Sequence, residues 1–279
     1  MYVEIRNRGI ICFLLFIILW ILIYRSHIIE GMEQPINGTT INGMKFKPFV
    51  INLDKDKIRY KKFLQYYQGS DISSIPLTRY PAIIGKNENA KELLTDDAFD
   101  EFQHFLQNGY RTHHHQLTYG GIGCFLSHYN LAKQLLTEPS EVEMYLIFED
   151  DTAIPQNIFT YIQKYMKYVP NNWDIVLFYT IRSVGHTENE MINRIKSFWG
   201  MNSYIINRTG AKKLVDEVDA NKMDGQIDSY LSRMIQQNKM NIYATKKHLV
   251  SSNSSDTNIQ AILKPLKNIN PFNFKGYII

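Results

Sequence analysis

The chain has 279 residues, 44% of them hydrophobic and 21% charged, so it can bury one sizeable core and is not a disorder-dominated chain. A formal net charge of +4 without a long Lys/Arg run argues against a nucleic-acid partner and is compatible with anionic nucleotide substrates. The only two cysteines, Cys12 and Cys124, exclude a disulfide framework and a four-cysteine zinc site.

Residues 9–24 (GIICFLLFIILWILIY) carry no charge and lie between Arg6 and Arg8 on one side and Arg25 on the other. The run ends in bulky residues, a poor cleavage site for a signal peptide, and an all-round apolar helix at a terminus is unusual in a soluble domain. The expectation is a short membrane anchor over residues 1–27 with a cytoplasmic N-terminus, suited to a thin bilayer such as that of the endoplasmic reticulum. This would make a single-pass type II membrane protein, endoplasmic reticulum or Golgi-like in a eukaryotic or viral setting. Residues 28–44 (IIEGMEQPINGTTINGM) have turn formers and no periodicity, and read as a stem before a domain over 45–279. Sequons begin at Asn37, Asn207 and Asn253, and matter only if the domain is lumenal.

Beyond the stem, PFVINLD at 48–54 is an apolar run that predicts a buried strand, followed by a helix from Asp56. LTRYPAII at 77–84 predicts a strand that Pro81 weakens or pushes to an edge. Residues 95–107 begin Thr95-Asp96-Asp97 and predict a capped helix. His113, His114 and His115 cannot converge on one face and read as a polar loop. TYGGIGCFLSHYNLAKQLLT at 118–137 predicts a helix with a glycine-rich opening. YLIF at 145–148 predicts a short strand, 155–169 a helix, and WDIVLFYT at 173–180 and MNSYIIN at 201–207 further strands. Thr209 can cap the next helix, IDSYLSRMIQQN is helical, and MNIYATKKHLV closes with a strand. Strands alternating with helices imply a layered α/β domain with a mainly parallel sheet.

Glu149, Asp150 and Asp151 follow an apolar strand directly, where ligands of open α/β sheets bind. Adjacent carboxylates repel unless solvated or neutralised, and oxygen ligands suit Mg²⁺ or Mn²⁺, which can bridge to a diphosphate. From spacing alone an exposed acidic turn with Asp151 as a helix cap is the better reading. Gly120, Gly121 and Gly123 permit close backbone approach at a helix start, but the GxGxxG spacing is absent. Cys124 and His128 share a helix face at i and i+4; two ligands make no metal site, and a hydrogen-bonded histidine at the core edge is the plainer reading. Asp228 reads as a helix cap or a catalytic carboxylate, and Asn52 and Asp54 as residues meeting a nucleotide base or as ordinary loop contacts.

Four blocks in order carry a resemblance: FVINLDKDKIRYKKF, LTYGGIGCFLSHYNLAKQLL, YLIFEDD, and YIINRTGAKKL followed by IDSYL. Together they resemble glycosyltransferase family 25, the bacterial lipooligosaccharide and procollagen galactosyltransferases. The resemblance implies a GT-A-type fold, a UDP-sugar donor carrying galactose or glucose, Mn²⁺ or Mg²⁺, and transfer with inversion to a glycan, glycoprotein or hydroxylysine-type acceptor. It implies Asp150 and Asp151 as metal and donor-phosphate residues, Glu149 supporting them and His128 near the donor; Asn52 and Asp54 are candidate substrate-binding residues from their place at the strand end alone. Inversion needs a general base, and Asp228 is the candidate. Gly121 stands where the family block has Glu, which keeps open a catalytically silent, membrane-tethered binding module. A metal-dependent phosphohydrolase is a third reading of the acidic strand end.

Overall fold

The computed structural model describes residues 40–253. The expected anchor, most of the expected stem and residues 254–279 lie outside the described residues, and among the described residues no helix is long and apolar enough to cross a membrane. The domain begins in the last part of the segment read as a stem. Strand β1 (Thr40–Ile41) pairs antiparallel with the start of β2 (Met44–Asn52). Between them Asn42 and Gly43 both take positive φ, 51° and 82°, the requirement of a two-residue hairpin turn whose twist matches its strands.

Sequence order runs on through α1 (Lys57–Gln68), β3 (Thr78–Pro81), a 3₁₀ turn (Gly85–Asn87), α2 (Ala90–Leu93), α3 (Asp96–Asn108), α4 (Tyr119–Thr137), β4 (Met144–Glu149) and β5 (Thr152–Ala153). It continues with α5 (Ile158–Met166), β6 (Ile175–Leu177), β7 (Arg182–Thr187), β8 (Ile192–Trp199), β9 (Ser203–Asn207), α6 (Arg208–Asn221), α7 (Ile227–Gln236), β10 (Ile242–Thr245) and β11 (Ser251–Ser252).

The main sheet has the order β1-β2-β4-β9-β6-β10-β8-β7, with β3 also on β2. Its two faces are both covered. On β2 and β4, Phe49, Ile51, Tyr145 and Ile147 face the layer of α3, α4, α6 and α7, while Val50, Leu146 and Phe148 face α1 and α5. Two-sided burial explains why these strands read as continuous apolar runs rather than alternating ones.

The sheet is mixed, which corrects the expectation of a mainly parallel one. β2 runs parallel to β3 and β4, and β6 to β10, but β9 is antiparallel to both β4 and β6, and β8 is antiparallel to β10 and β7. A strand buried on both faces has the same composition in either direction, so its sense is set by the chain's route. That route includes the β7–β8 hairpin, which no periodicity announces. Every residue of β7 is exposed, and β8 buries Ile192, Ile195 and Phe198 at three-residue rather than two-residue intervals. The hairpin curls back, so that Ile181 N donates to Trp199 O at 2.7 Å.

The helix signals are mostly local ones. Thr95 caps α3 by accepting from Ala98 N at 3.3 Å, and Thr118 caps α4 by accepting from Gly121 N at 3.0 Å. The cap of α6 is Asn207, which accepts from Gly210 N at 2.8 Å, not Thr209, because β9 runs straight into the helix.

The glycines of α4 divide by role. A Cβ on Gly123 would stand 2.2 Å from Ile83 O and 2.9 Å from Gly85 N, whereas on Gly121 its nearest neighbour is the flexible Leu117 side chain at 3.3 Å. Gly123 therefore lets α4 cross the 3₁₀ turn at backbone distance. Gly123→Ala is expected to lower stability by about 1–3 kcal/mol, and Gly121→Ala to change it by less than about 1 kcal/mol, measured by thermal unfolding of the two variants.

Candidate functional site

Because β2 and β4 are parallel neighbours, their carboxyl ends lie at one edge of the sheet, with Ile51 in register with Glu149. Asp150 N donates to Ile51 O at 3.2 Å, which continues the ladder into the acidic triplet. Asn52 is buried, and its amide donates to Asp150 Oδ2 at 2.6 Å and to Asp56 O at 3.1 Å. Its Oδ1 accepts from Arg79 Nε at 2.8 Å, and Arg79 Nη2 reaches the exposed Asp54 at 2.6 Å. The other Asp150 oxygen, Oδ1, is 2.5 Å from Arg59 Nη2. Both Asp150 oxygens are thus occupied. Burial still raises its carboxyl above the ordinary range, outweighing the Asn52 bond and the Arg59 charge.

Asp151 is differently placed. Its Oδ2 accepts from Ser252 Oγ at 3.1 Å and its main-chain oxygen from Asn253 N at 2.8 Å, both from the last described strand and its exit. Its Oδ1 is buried without a hydrogen-bond partner among the described residues. Burial, and then the charge of Glu149, push its carboxyl up to about 6.

Glu149 turns toward α4. Its Oε1 is 3.3 Å from His128 Nε2, and His128 Nδ1 is 2.8 Å from Tyr204 OH on β9. Cys124, one turn earlier on α4, completes a group whose donor atoms all lie within 4.8 Å of one another. Burial raises the Cys124 thiol well above its usual value, and the charges of Glu149, Asp228 and Asp151 add to that.

Asp228 lies in the first turn of α7, whose N-cap is Gln226, so it is not the cap itself. It accepts from Ser229 N at 2.8 Å through Oδ1 and from Gly200 N at 3.0 Å through Oδ2, with Gly200 at φ 78° where β8 turns back. The loop of three histidines, read as merely polar, packs here. His115 Nδ1 bonds Ser229 Oγ, His114 lies 5.2 Å from the Trp199 ring, and Gln226 donates to His114 O at 3.0 Å. Burial lowers both histidines' pKa, with Asp228 opposing the shift.

The structure therefore gathers Asn52, Asp54 and Asp150 into one polar cluster and His128 and Glu149 into a second. Asp151 stands beside Glu149, and Asp228 is within electrostatic range of Cys124. Sequence reasoning missed Arg59, Arg79 and Tyr204. Nothing in KIRYKK or TRYP marks one basic residue as inward, and Tyr204 sits in a strand that reads as core.

Carboxylates at the carboxyl edge of an α/β sheet stand where open sheets of this kind place their ligands. The model of glycosyltransferase family 25 (LPS biosynthesis protein) matches residues 45–231, and the chain belongs to this family. It is 28% identical to a glycosyltransferase 25 family member of Anopheles gambiae over 199 residues, 67% of this chain and 31% of that protein. It is 27% identical to human procollagen galactosyltransferase 2 over 190 residues, 63% of this chain and 28% of that protein. It is also 26% identical to the bovine probable inactive glycosyltransferase 25 family member 3 over 131 residues, 43% of this chain and 21% of that protein. The matched part spans less than a third of the length of each of these relatives.

Asp151 links folding to pH. Its carboxyl, ordinarily near 3.8, is pushed to about 6 in the folded chain, so folding takes up a proton between these values. Stability from this group is present below the ordinary value and lost as pH rises through the raised one. In chelator-treated protein, Asp151→Asn is expected to unfold at a higher temperature than the parent at pH 8, by up to about 3 kcal/mol in stability. The two melting curves should converge at about pH 4.

Proposed function

We propose that this chain is an inverting glycosyltransferase with a GT-A-type domain, moving galactose or glucose from a UDP-sugar to a glycan or hydroxylysine-type acceptor. The observation that carries the reading is the unpartnered, buried Oδ1 of Asp151 beside Glu149 at the strand edge, in a chain of this family. The procollagen galactosyltransferase among its relatives supports galactose as the sugar.

A divalent cation such as Mn²⁺ or Mg²⁺ fits this donor set in part. Asp151 offers a free buried oxygen, whereas Asp150 joins only when Arg59 releases it. Held there, such a cation would supply positive charge against a departing diphosphate. Arg59 and Arg79 add positive charge at the same edge and are suited to a donor phosphate. Asn52 fixes Asp150, and His128 fixes Glu149. The acceptor hydroxyl attacks the anomeric carbon as its bond to the diphosphate oxygen breaks, and Asp228 takes the hydroxyl proton.

A catalytically silent relative is the second reading. It is favoured by the Arg59–Asp150 ion pair, which neutralises one expected metal ligand, and by a relative named as probably inactive. The full chain, assayed with UDP-galactose and UDP-glucose with and without Mn²⁺, decides between them. Mn²⁺-dependent release of UDP supports transfer; a folded chain that binds neither UDP nor Mn²⁺ in calorimetry supports the silent module. In the active case, Asp228→Asn is expected to lower kcat by about 10²–10⁴-fold with little change in donor KM. Full kcat in this variant would remove Asp228 as the base.

Membrane attachment through residues 1–27, with the domain lumenal, belongs to the same proposal and rests on the uncharged run 9–24. Deleting residues 1–27 is expected to move the protein from the membrane pellet to the supernatant; an unchanged pellet would contradict a single anchor.

A further inference from the structure

We infer that Cys124, His128 and Glu149 form a binding site for one borderline-soft divalent cation of the Zn²⁺ class. Its donor set differs from the hard-cation ligands at Asp150 and Asp151, and the inference does not depend on the transferase reading.

Geometry comes first. His128 Nε2 and Glu149 Oε1 are 3.3 Å apart. That is long for a charge-assisted hydrogen bond, ordinarily about 2.7–2.9 Å. It matches the edge of a tetrahedron whose nitrogen and oxygen ligands each lie about 2.0 Å from zinc, an edge of about 3.3 Å. The Cys124 sulfur falls within 4.8 Å of both donors.

The donors also sit on rigid supports. Cys124 and His128 project from one face of α4, with His128 buried, and Glu149 ends the central strand β4. Tyr204 OH, 2.8 Å from His128 Nδ1, holds the far side of the imidazole, the outer-shell contact that orients a metal-binding histidine toward its ligand position.

The charge balance points the same way. Glu149 and Asp151 are neighbouring carboxylates, and Asp151 Oδ1 is buried with no hydrogen-bond partner among the described residues. A cation in the Cys124 group offsets both charges, with a solvent molecule as its fourth ligand. Thiolate and imidazole donors select zinc-class ions over Mn²⁺ and Mg²⁺. Binding releases the thiol proton of Cys124 to solvent, and no other bond changes.

The test uses the full-length chain, stripped with chelator and titrated with Co²⁺ as a spectroscopic stand-in for Zn²⁺. The expected result is one Co²⁺ per chain with a thiolate-to-cobalt charge-transfer band and tetrahedral d–d bands. One equivalent of Zn²⁺ should displace it, and excess Mn²⁺ should not. Cys124→Ser should remove the charge-transfer band and His128→Gln should weaken binding by about 10–100-fold or more, while Cys12→Ser should retain both band and affinity. Absence of the band in the parent chain, or its persistence in Cys124→Ser, overturns the inference. If Cys124→Ser does not fold, alkylation of the native chain decides: one equivalent of Zn²⁺ should protect Cys124, and equal labelling with and without Zn²⁺ overturns the site. Failure of sugar transfer in the separate assay would leave this result standing.

Discussion

The hydrogen bond from Asn52 to Asp150, 2.6 Å long, ties together the ends of the two parallel strands on which the site is built. Asn52 sits at the end of β2, and its buried amide is satisfied on both sides, by Asp150 and Asp56 through its nitrogen and by Arg79 through its oxygen. A buried amide with every bond made specifies one geometry, because any shift leaves a polar group unpaired. The position of Asp150 follows from it, and the triplet's three side chains then diverge in three directions.

That divergence separates the chemistry. Asp150 points to Asn52 and Arg59, Asp151 to Ser252, and Glu149 to His128. Three adjacent carboxylates would otherwise raise one another's pKa. Here one is met by a guanidinium, one bonds a histidine, and the third carries the cost of burial, which is why Asp151 is the strongly shifted member.

The helix layer makes this arrangement close-packed. Gly123 and Gly85 let α4 approach the 3₁₀ turn at backbone distance, bringing Cys124 and His128 under the strand edge. The same curl of β8 that places Gly200 over α7 lets its N–H hold the Asp228 carboxylate. The α4 and α7 residues of the site are thus positioned by main-chain features, and those of β2 and β4 by side-chain bonds.

The sequence by itself determined much of this. Two-faced apolar runs marked β2, β4 and β6, the cap at Thr95 and the glycine-rich opening at 118–123 marked their helices, and the Glu149-Asp150-Asp151 end marked the candidate site, because each is a local pattern of neighbouring residues. Tertiary structure alone decided the rest. It set the antiparallel sense of β9 and produced the β7–β8 hairpin, whose burial follows neither strand nor helix period. It also recruited Arg59, Arg79 and Tyr204, and gave Asp150 to an arginine while leaving one oxygen of Asp151 without a partner among the described residues. The physical reason is that strand direction and ion pairing depend on which distant segments meet, and side-chain type along the chain does not encode that.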